Sequence, residues 1–173
     1  MDIITERLRL RLMQPEDAEW IAREISNPSV QRWLTSPPHP YSLTDAHSFI
    51  AAKASDPGLR VIEHNGIGCG MIEITPATDT CLGLGYWLRE TAWGQGLMSE
   101  AARAMIDWIY ETTTSDIRSG WIIGNAGSRN VLTKLGFQPD GQRQEYANFH
   151  GKDLILEQVR MTHAAWQLVK TTR

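Results

Sequence analysis

With 173 residues the chain has room for one domain, or for two very small ones. Hydrophobic residues make up 42% of it and seven are Trp, which excludes wholesale disorder and supplies a core. A formal net charge of −3 argues against a nucleic-acid binder.

No apolar run reaches the roughly 18 to 20 residues of a membrane span, and the first residues do not read as a secretory signal. A cytoplasmic protein with no membrane partner is the expectation. The two cysteines, Cys69 and Cys81, are too few for a disulfide scaffold and lack metal-ligand spacing, so they read as small buried residues. No metal site is expected.

In chain order, Glu6 to Leu12 alternates Leu with Arg, a half-buried strand with Arg7, Arg9 and Arg11 on its solvated face. Pro15-Glu16-Asp17 opens a helix that carries Trp20, Ile21 and Ile25 and stops near Asn27-Pro28. Three prolines keep Ser36 to Tyr41 irregular, and Ser42 or Thr44 caps a helix containing Ala46, Phe49 and Ile50. Residues 60–64 and 67–74 flank Asn65-Gly66 and read as a hairpin. A turn around Pro76 leads to a third strand over 80–88.

Residues 94–110 carry Leu97, Ala101, Ala104, Met105, Trp108 and Ile109 on one helical face. A strand over 117–123, a short helix over 128–135 ended by Gly136, and strands over 137–146 and 154–161 follow. The tail from Thr162 is a short helix or frays. Strands in the middle with helices interspersed make a single domain of α/β or α+β class.

The chemistry concentrates where the strand ending Gly85-Tyr86-Trp87-Leu88 meets Trp93-Gly94-Gln95-Gly96-Leu97-Met98-Ser99. Two glycines before a helix let backbone N–H groups approach a phosphate at the positive end of the helix dipole. A tight strand-to-helix turn is the plainer reading of the same residues. A P-loop is excluded, because no Gly-Lys-Ser/Thr follows, and the third glycine of a dinucleotide fingerprint is missing.

About thirty residues on, Asn125-Ala126-Gly127-Ser128 opens the next helix, and Leu135-Gly136-Phe137 closes it. Together these motifs strongly resemble the GNAT superfamily of acetyl-CoA-dependent N-acetyltransferases, and most of all its ribosomal-protein N-terminal acetyltransferase branch. Thr5 to Arg11, Gly85-Tyr86-Trp87-Leu88 and Trp93-Gly94-Gln95-Gly96 carry the same likeness. The resemblance covers nearly the whole chain. It implies one domain over 1–173, with a central mixed, mostly antiparallel twisted sheet, a splayed parallel strand pair and flanking helices.

The resemblance further implies acetyl-CoA as cosubstrate. Its diphosphate would sit on Gly94, Gln95, Gly96, Leu97, Met98 and Ser99, and its pantetheine would pair with backbone near Trp87 and Leu88. An N–H near Leu88 is then the natural donor to the thioester oxygen as charge develops there. Asn125 and Ser128 would contact the cofactor, with Asn130 either a further contact or a plain helix-surface residue.

Leu132 and Gly83 stand where many relatives carry a Tyr and a Glu for proton transfer. In the ribosomal-protein branch a Ser and a later Glu take those roles, and Ser128 and Glu145 match them. Helix capping is the plain alternative for Ser128, and a strand-surface carboxylate for Glu145; Glu73 is a second candidate base. Acceptor contacts are expected from Trp33, His39, Tyr41 and Tyr146.

The expected reaction is direct acetyl transfer to a primary amine, either a peptide N-terminus or a small molecule, by a monomer or homodimer. An α-amine of pKa about 8 needs less help than a Lys of about 10.4. The alternative is a non-catalytic acyl-CoA-binding module on the same fold.

Overall fold

The computed structural model describes residues 1–78 and 80–171. The expectation for the last two residues of the tail lies outside the described residues. Eight strands form one sheet: β1 (Ile3–Ile4), β2 (Leu8–Arg11), β3 (Leu59–His64), β4 (Ile67–Thr78), β5 (Cys81–Leu88), β6 (Asp116–Ile122), β7 (Gln138–Ala147) and β8 (Lys152–Met161). Their order is β1-β2-β3-β4-β5-β6-β8-β7, and every neighbouring pair is antiparallel except β5–β6. This is the mixed, mostly antiparallel sheet expected.

The helices are α1 (Ala18–Ile25), α2 (Pro28–Gln31), α3 (Leu43–Lys53), α4 (Leu97–Ile109), α5 (Ala126–Leu135) and α6 (His163–Thr171). They cover both faces of the sheet, so the core has two parts. Leu8, Leu10, Ile62, Ile72 and Ile117 pack against α4, α5 and Trp166 of α6. Leu59, Val61 and Met71 pack against α1 and α3 on the opposite face. The short α2 was not expected; the Asn27 side chain accepts from the Ser29 N–H, and Pro28 opens the helix. Among the described residues no helix is long and apolar enough to cross a membrane.

Local chemistry accounts for most element ends. Asn65 and Gly66 both take positive φ in the β3–β4 turn. Ser42 and Asp45 form a reciprocal capping box on α3.

Three expectations are corrected. The long helix begins at Leu97 rather than Gly94, because Gly94 and Gly96 sit at φ 74° and 76°, outside the right-handed helical region. The chain does not turn at Pro76, since β4 runs on to Thr78 and Pro76 pairs with Leu82. Like Ile74, whose N–H goes to Gly58, Pro76 has its nitrogen turned away from β5, and β3 pairs no farther along β4 than Glu73, so no ladder bond is lost. The arginines of the first strand are not one solvated face either. Arg9 is exposed, but Arg11 lies beneath α1 and is buried against Asp17 and Glu63.

Candidate active site

The parallel pair β5–β6 is in register for only three residues, Cys81 with Asp116, Leu82 with Ile117 and Gly83 with Arg118. Beyond Gly83 the strands diverge. The Ser119 hydroxyl donates to the Leu84 carbonyl at 2.9 Å where the gap begins. The Arg89 N–H goes to the Cys69 carbonyl of β4, so by strand alternation the peptide groups of Tyr86 and Leu88 face the opening. Trp93 Nε1 donates to the Leu88 carbonyl at 2.8 Å, and the Leu88 N–H is directed to the gap.

Past Leu88 the chain enters the glycine loop and α4. Left-handed φ at Gly94 and Gly96 is what glycine supplies without strain. A Cβ at Gly94 would meet no protein atom within 4 Å, so that side of the loop is open. The first-turn N–H groups of α4 have no intrahelical acceptor and carry the positive end of the helix dipole.

A brace from the N-terminal segment holds this loop, and sequence reasoning missed it. Arg7 Nη1 donates to the Gln95 carbonyl at 2.9 Å, and its Nε donates to Glu100 Oε2 at 2.7 Å. Glu100 Oε1 also accepts from the Arg7 N–H and the Thr5 hydroxyl. Burial opposes ionisation of Glu100, but the bonds from Thr5 and Arg7 hold its carboxyl below the usual range. Arg7→Ala is expected to raise the Kd for CoA about 5-fold in isothermal titration, the scale of an exposed ion-pair network worth about 1 kcal/mol. An unchanged Kd would show that the loop stands without its brace.

Two cavities meet at the splay. One, of about 540 Å³, runs along the loop, the start of α4 and the start of α5. It is lined by Trp87, Leu88, Gly94, Gly96, Leu97, Met98, Ser99, Asn125, Ser128 and Asn130. Of the expected cofactor residues only Gln95 is missing from its wall; its side chain is turned away to the Thr91 carbonyl. Lys134, which sequence reasoning did not single out, reaches the same cavity one helical turn after Asn130. Open glycine backbone, a helix N-terminus and a cation fit the diphosphate of CoA.

The second cavity, of about 1010 Å³, lies on the opposite side of the same gap. Trp33, Leu34, Tyr86, Trp87, Ser119 and Trp121 are among the residues lining both. Gly83 and Gly85 leave its floor free of side chains, and Glu73, paired with Gly85 across the strands, stands beside that floor. Burial is the largest influence on Glu73; with Asp56 it raises the carboxyl above its ordinary range against the pull of Lys53.

The acceptor-side residues divide. Trp33 and Tyr41 line the larger cavity, whereas His39, Glu145 and Tyr146 line neither. His39 Nδ1 bonds Gln31 Oε1 at 2.9 Å and its ring meets Phe149 edge-on. Tyr146 follows Glu145 by one residue and so occupies the other face of β7, where it is exposed. The Glu145 carboxylate accepts from the Thr35 hydroxyl at 2.5 Å and pairs with Arg143 at 2.5 Å. Asn148 bonds the Thr35 and Ser36 carbonyls, and His150 bonds that of Arg32, so residues 32–36 are strapped to the β7–β8 turn.

At the head of α5 the two plain roles are separated. Asn125 is the cap, its Oδ1 accepting from the Ser128 N–H at 3.0 Å. The Ser128 hydroxyl lies 2.9 Å from the Tyr86 hydroxyl instead. Burial pushes the Cys69 thiol up to about 11, which disfavours a thiolate nucleophile there.

The profile of the family described as Acetyltransferase (GNAT) domain matches residues 7–138. A Bacillus subtilis protein named "Putative ribosomal N-acetyltransferase YdaF" is 26% identical over 165 residues, covering 88% of this chain and 90% of that one. The N-acetyltransferase p20 of Bacillus licheniformis is 25% identical over 87% of this chain and 89% of its own. A GNAT-family acetyltransferase from Bacillus anthracis superposes with a TM-score of 0.83 at 18% identity, covering 95% of this chain and 99% of that one. RimL, a ribosomal-protein alpha-N-acetyltransferase solved with coenzyme A, superposes at 0.82 and 18% identity over 95% of this chain and 99% of that one. Splayed strands, glycine loop and shared fold converge with the sequence match: the chain belongs to the GNAT acetyltransferase family.

Proposed function

We propose that the protein is an acetyl-CoA-dependent N-acetyltransferase that transfers acetyl directly to a primary amine. The observation that carries this is the meeting of the two cavities at the β5–β6 gap, where a cofactor entering from one side faces an amine from the other. Bound acetyl-CoA would supply an activated thioester carbonyl. Gly94, Gly96, Ser99 and Lys134 would hold its phosphates, with Asn125 and Asn130 along the same wall.

The Leu88 N–H supports negative charge developing on an oxygen held in the gap. Ser128 donates a hydrogen bond to the departing sulfur. Glu73 takes the proton from the amine. Of the three carboxylates among the described residues that line the acceptor cavity, Asp45 caps α3 and Asp140 is held by Arg118. Glu73 stands beside the open floor with a raised pKa that makes it a better base than an ordinary Glu. Glu145, already engaged by Thr35 and Arg143, holds the strap over that cavity.

Trp33 and Tyr41 form acceptor walls. A protein N-terminal α-amine is the favoured acceptor, since its pKa of about 8 leaves a usable neutral fraction near pH 7, and the name of the relative YdaF points to a ribosomal protein. Melting curves with acetyl-CoA, CoA and NADPH, followed by thiol release over peptides and small amines, test the reading. A ligand of the folded state at 100 times its Kd adds about 2.7 kcal/mol. Stabilisation by the CoA species alone, with thiol release on N-terminal peptides, is expected. Binding without release on any amine would leave an acyl-CoA-binding module instead.

A further inference from the structure

We infer that Tyr86 is a positioning residue that aims the Ser128 hydroxyl into the β5–β6 gap. The inference rests on the reading of Ser128 as the donor to the leaving sulfur. Tyr86 and Ser128 come from β5 and α5, 42 positions apart, and both line the cofactor-side cavity, Tyr86 the acceptor side as well. The Tyr86 hydroxyl lies 2.9 Å from Ser128 Oγ and 3.4 Å from the Ser128 carbonyl. Among the described residues no other hydrogen bond holds the serine hydroxyl, and Asn125 caps the helix through the Ser128 N–H instead.

Direction follows from acidity. A phenol is the stronger donor and an aliphatic hydroxyl the stronger acceptor, and burial keeps the Tyr86 proton in place. Tyr86 therefore donates to Ser128 Oγ, which fixes the serine rotamer and leaves the serine O–H to point elsewhere. The open direction is the cavity.

A full proton relay from phenol to sulfur is a different idea, and the energetics oppose it. Passing a proton from a phenol of ordinary pKa about 10 to a thiolate of about 8.5 is unfavourable by roughly 30-fold. Burial of Tyr86 makes it worse. Tyr86 keeps its proton and orients.

The test compares the wild type with Tyr86→Phe, Ser128→Ala and the double variant. Isothermal titration with CoA and desulfo-CoA at pH 9.5, above the ordinary thiol pKa of about 8.5, reads the donor directly. The wild type is expected to prefer CoA through its thiolate, and both single variants to lose that preference. In thiol release, Tyr86→Phe is expected to lower kcat about 10-fold with an unchanged KM for acetyl-CoA, the scale of a misaimed group. The double variant is expected to be no slower than Ser128→Ala, as for residues acting as one unit.

A merely structural tyrosine would lower the melting temperature and leave the CoA preference intact. If Ser128→Ala loses the preference and Tyr86→Phe keeps it, the inference is overturned while the role of Ser128 stands. If Ser128→Ala itself keeps both preference and turnover, the donor role of Ser128 falls, and this inference with it.

Discussion

Glu73→Gln is expected to slow acetyl transfer by about 100-fold or more, the lower range for losing a general base, and to raise the melting temperature at neutral pH. The two effects share one cause. Glu73 is partly buried on β4 beside the open floor left by Gly83 and Gly85, and that burial holds its carboxyl above the ordinary range. A raised folded-state pKa means the folded protein favours the protonated form. The stability this group contributes is complete below its unfolded pKa and is lost as pH rises through the folded value. Above that window the charge is a liability that Gln removes.

The gain in melting temperature should therefore grow from pH 4 to 7 and be absent at the acid end. The acid limb of kcat/KM in the wild type should lie above the usual carboxylate range and vanish with the variant. Glu145→Gln supplies the contrast. Loosening the bond to Thr35 is expected to raise KM for the amine more than it lowers kcat. Full activity in Glu73→Gln alongside a hundredfold loss in Glu145→Gln would reverse the two assignments.

Why the sequence offers two candidate carboxylates without ranking them by position is a matter of geometry. Positions governed by a local rule were legible: the hairpin at Asn65-Gly66, the helix end at Gly136, the glycine loop feeding α4. Nearly every cofactor-side residue is local to that loop or to the head of α5, and they line one cavity together. Residues whose role depends on a partner far along the chain were not. Arg7 bonds a loop 88 positions away, Thr35 meets Glu145 across 110, and Tyr86 meets Ser128 across 42. Glu145 and Tyr146 lie on opposite faces of β7, and only the folded arrangement shows that neither lines the two cavities. For Glu73 the one sequence signal was a charge inside the otherwise apolar hairpin strand.

The same limit governs Arg11, and breaking its ion pair should produce a large loss of stability. Asp17 is buried, and its carboxylate accepts four bonds: two from Arg11 at 2.8 Å each, one from the Gln14 N–H at 2.7 Å and one from Trp20 Nε1 at 2.8 Å. Asp17→Ala removes the shared acceptor of all four donors, although Arg11 Nη1 still reaches the Leu12 carbonyl at 3.0 Å. The expected cost is about 3 to 5 kcal/mol, the range for removing one member of a buried pair. Arg11 would keep Glu63 as a partner, which places the loss toward the lower figure.

The pH dependence runs opposite to that of Glu73. Burial would raise the Asp17 carboxyl, but the bonds from Arg11, Trp20 and Gln14 overcome it and hold the pKa below the ordinary value. A depressed folded pKa gives stability that is present above the unfolded pKa and lost as pH falls through the folded one. Denaturant unfolding of the wild type and Asp17→Ala should thus differ by the full amount at pH 7 and converge in acid. A constant difference at every pH would assign the cost to lost packing rather than to charge. Trp20 also carries the effect toward the site, since its ring lies 5.8 Å from that of Trp87 in the wall shared by both cavities. Freed from Asp17, Trp20 should let Trp87 shift, so that Asp17→Ala raises KM for the amine even at temperatures where it stays folded.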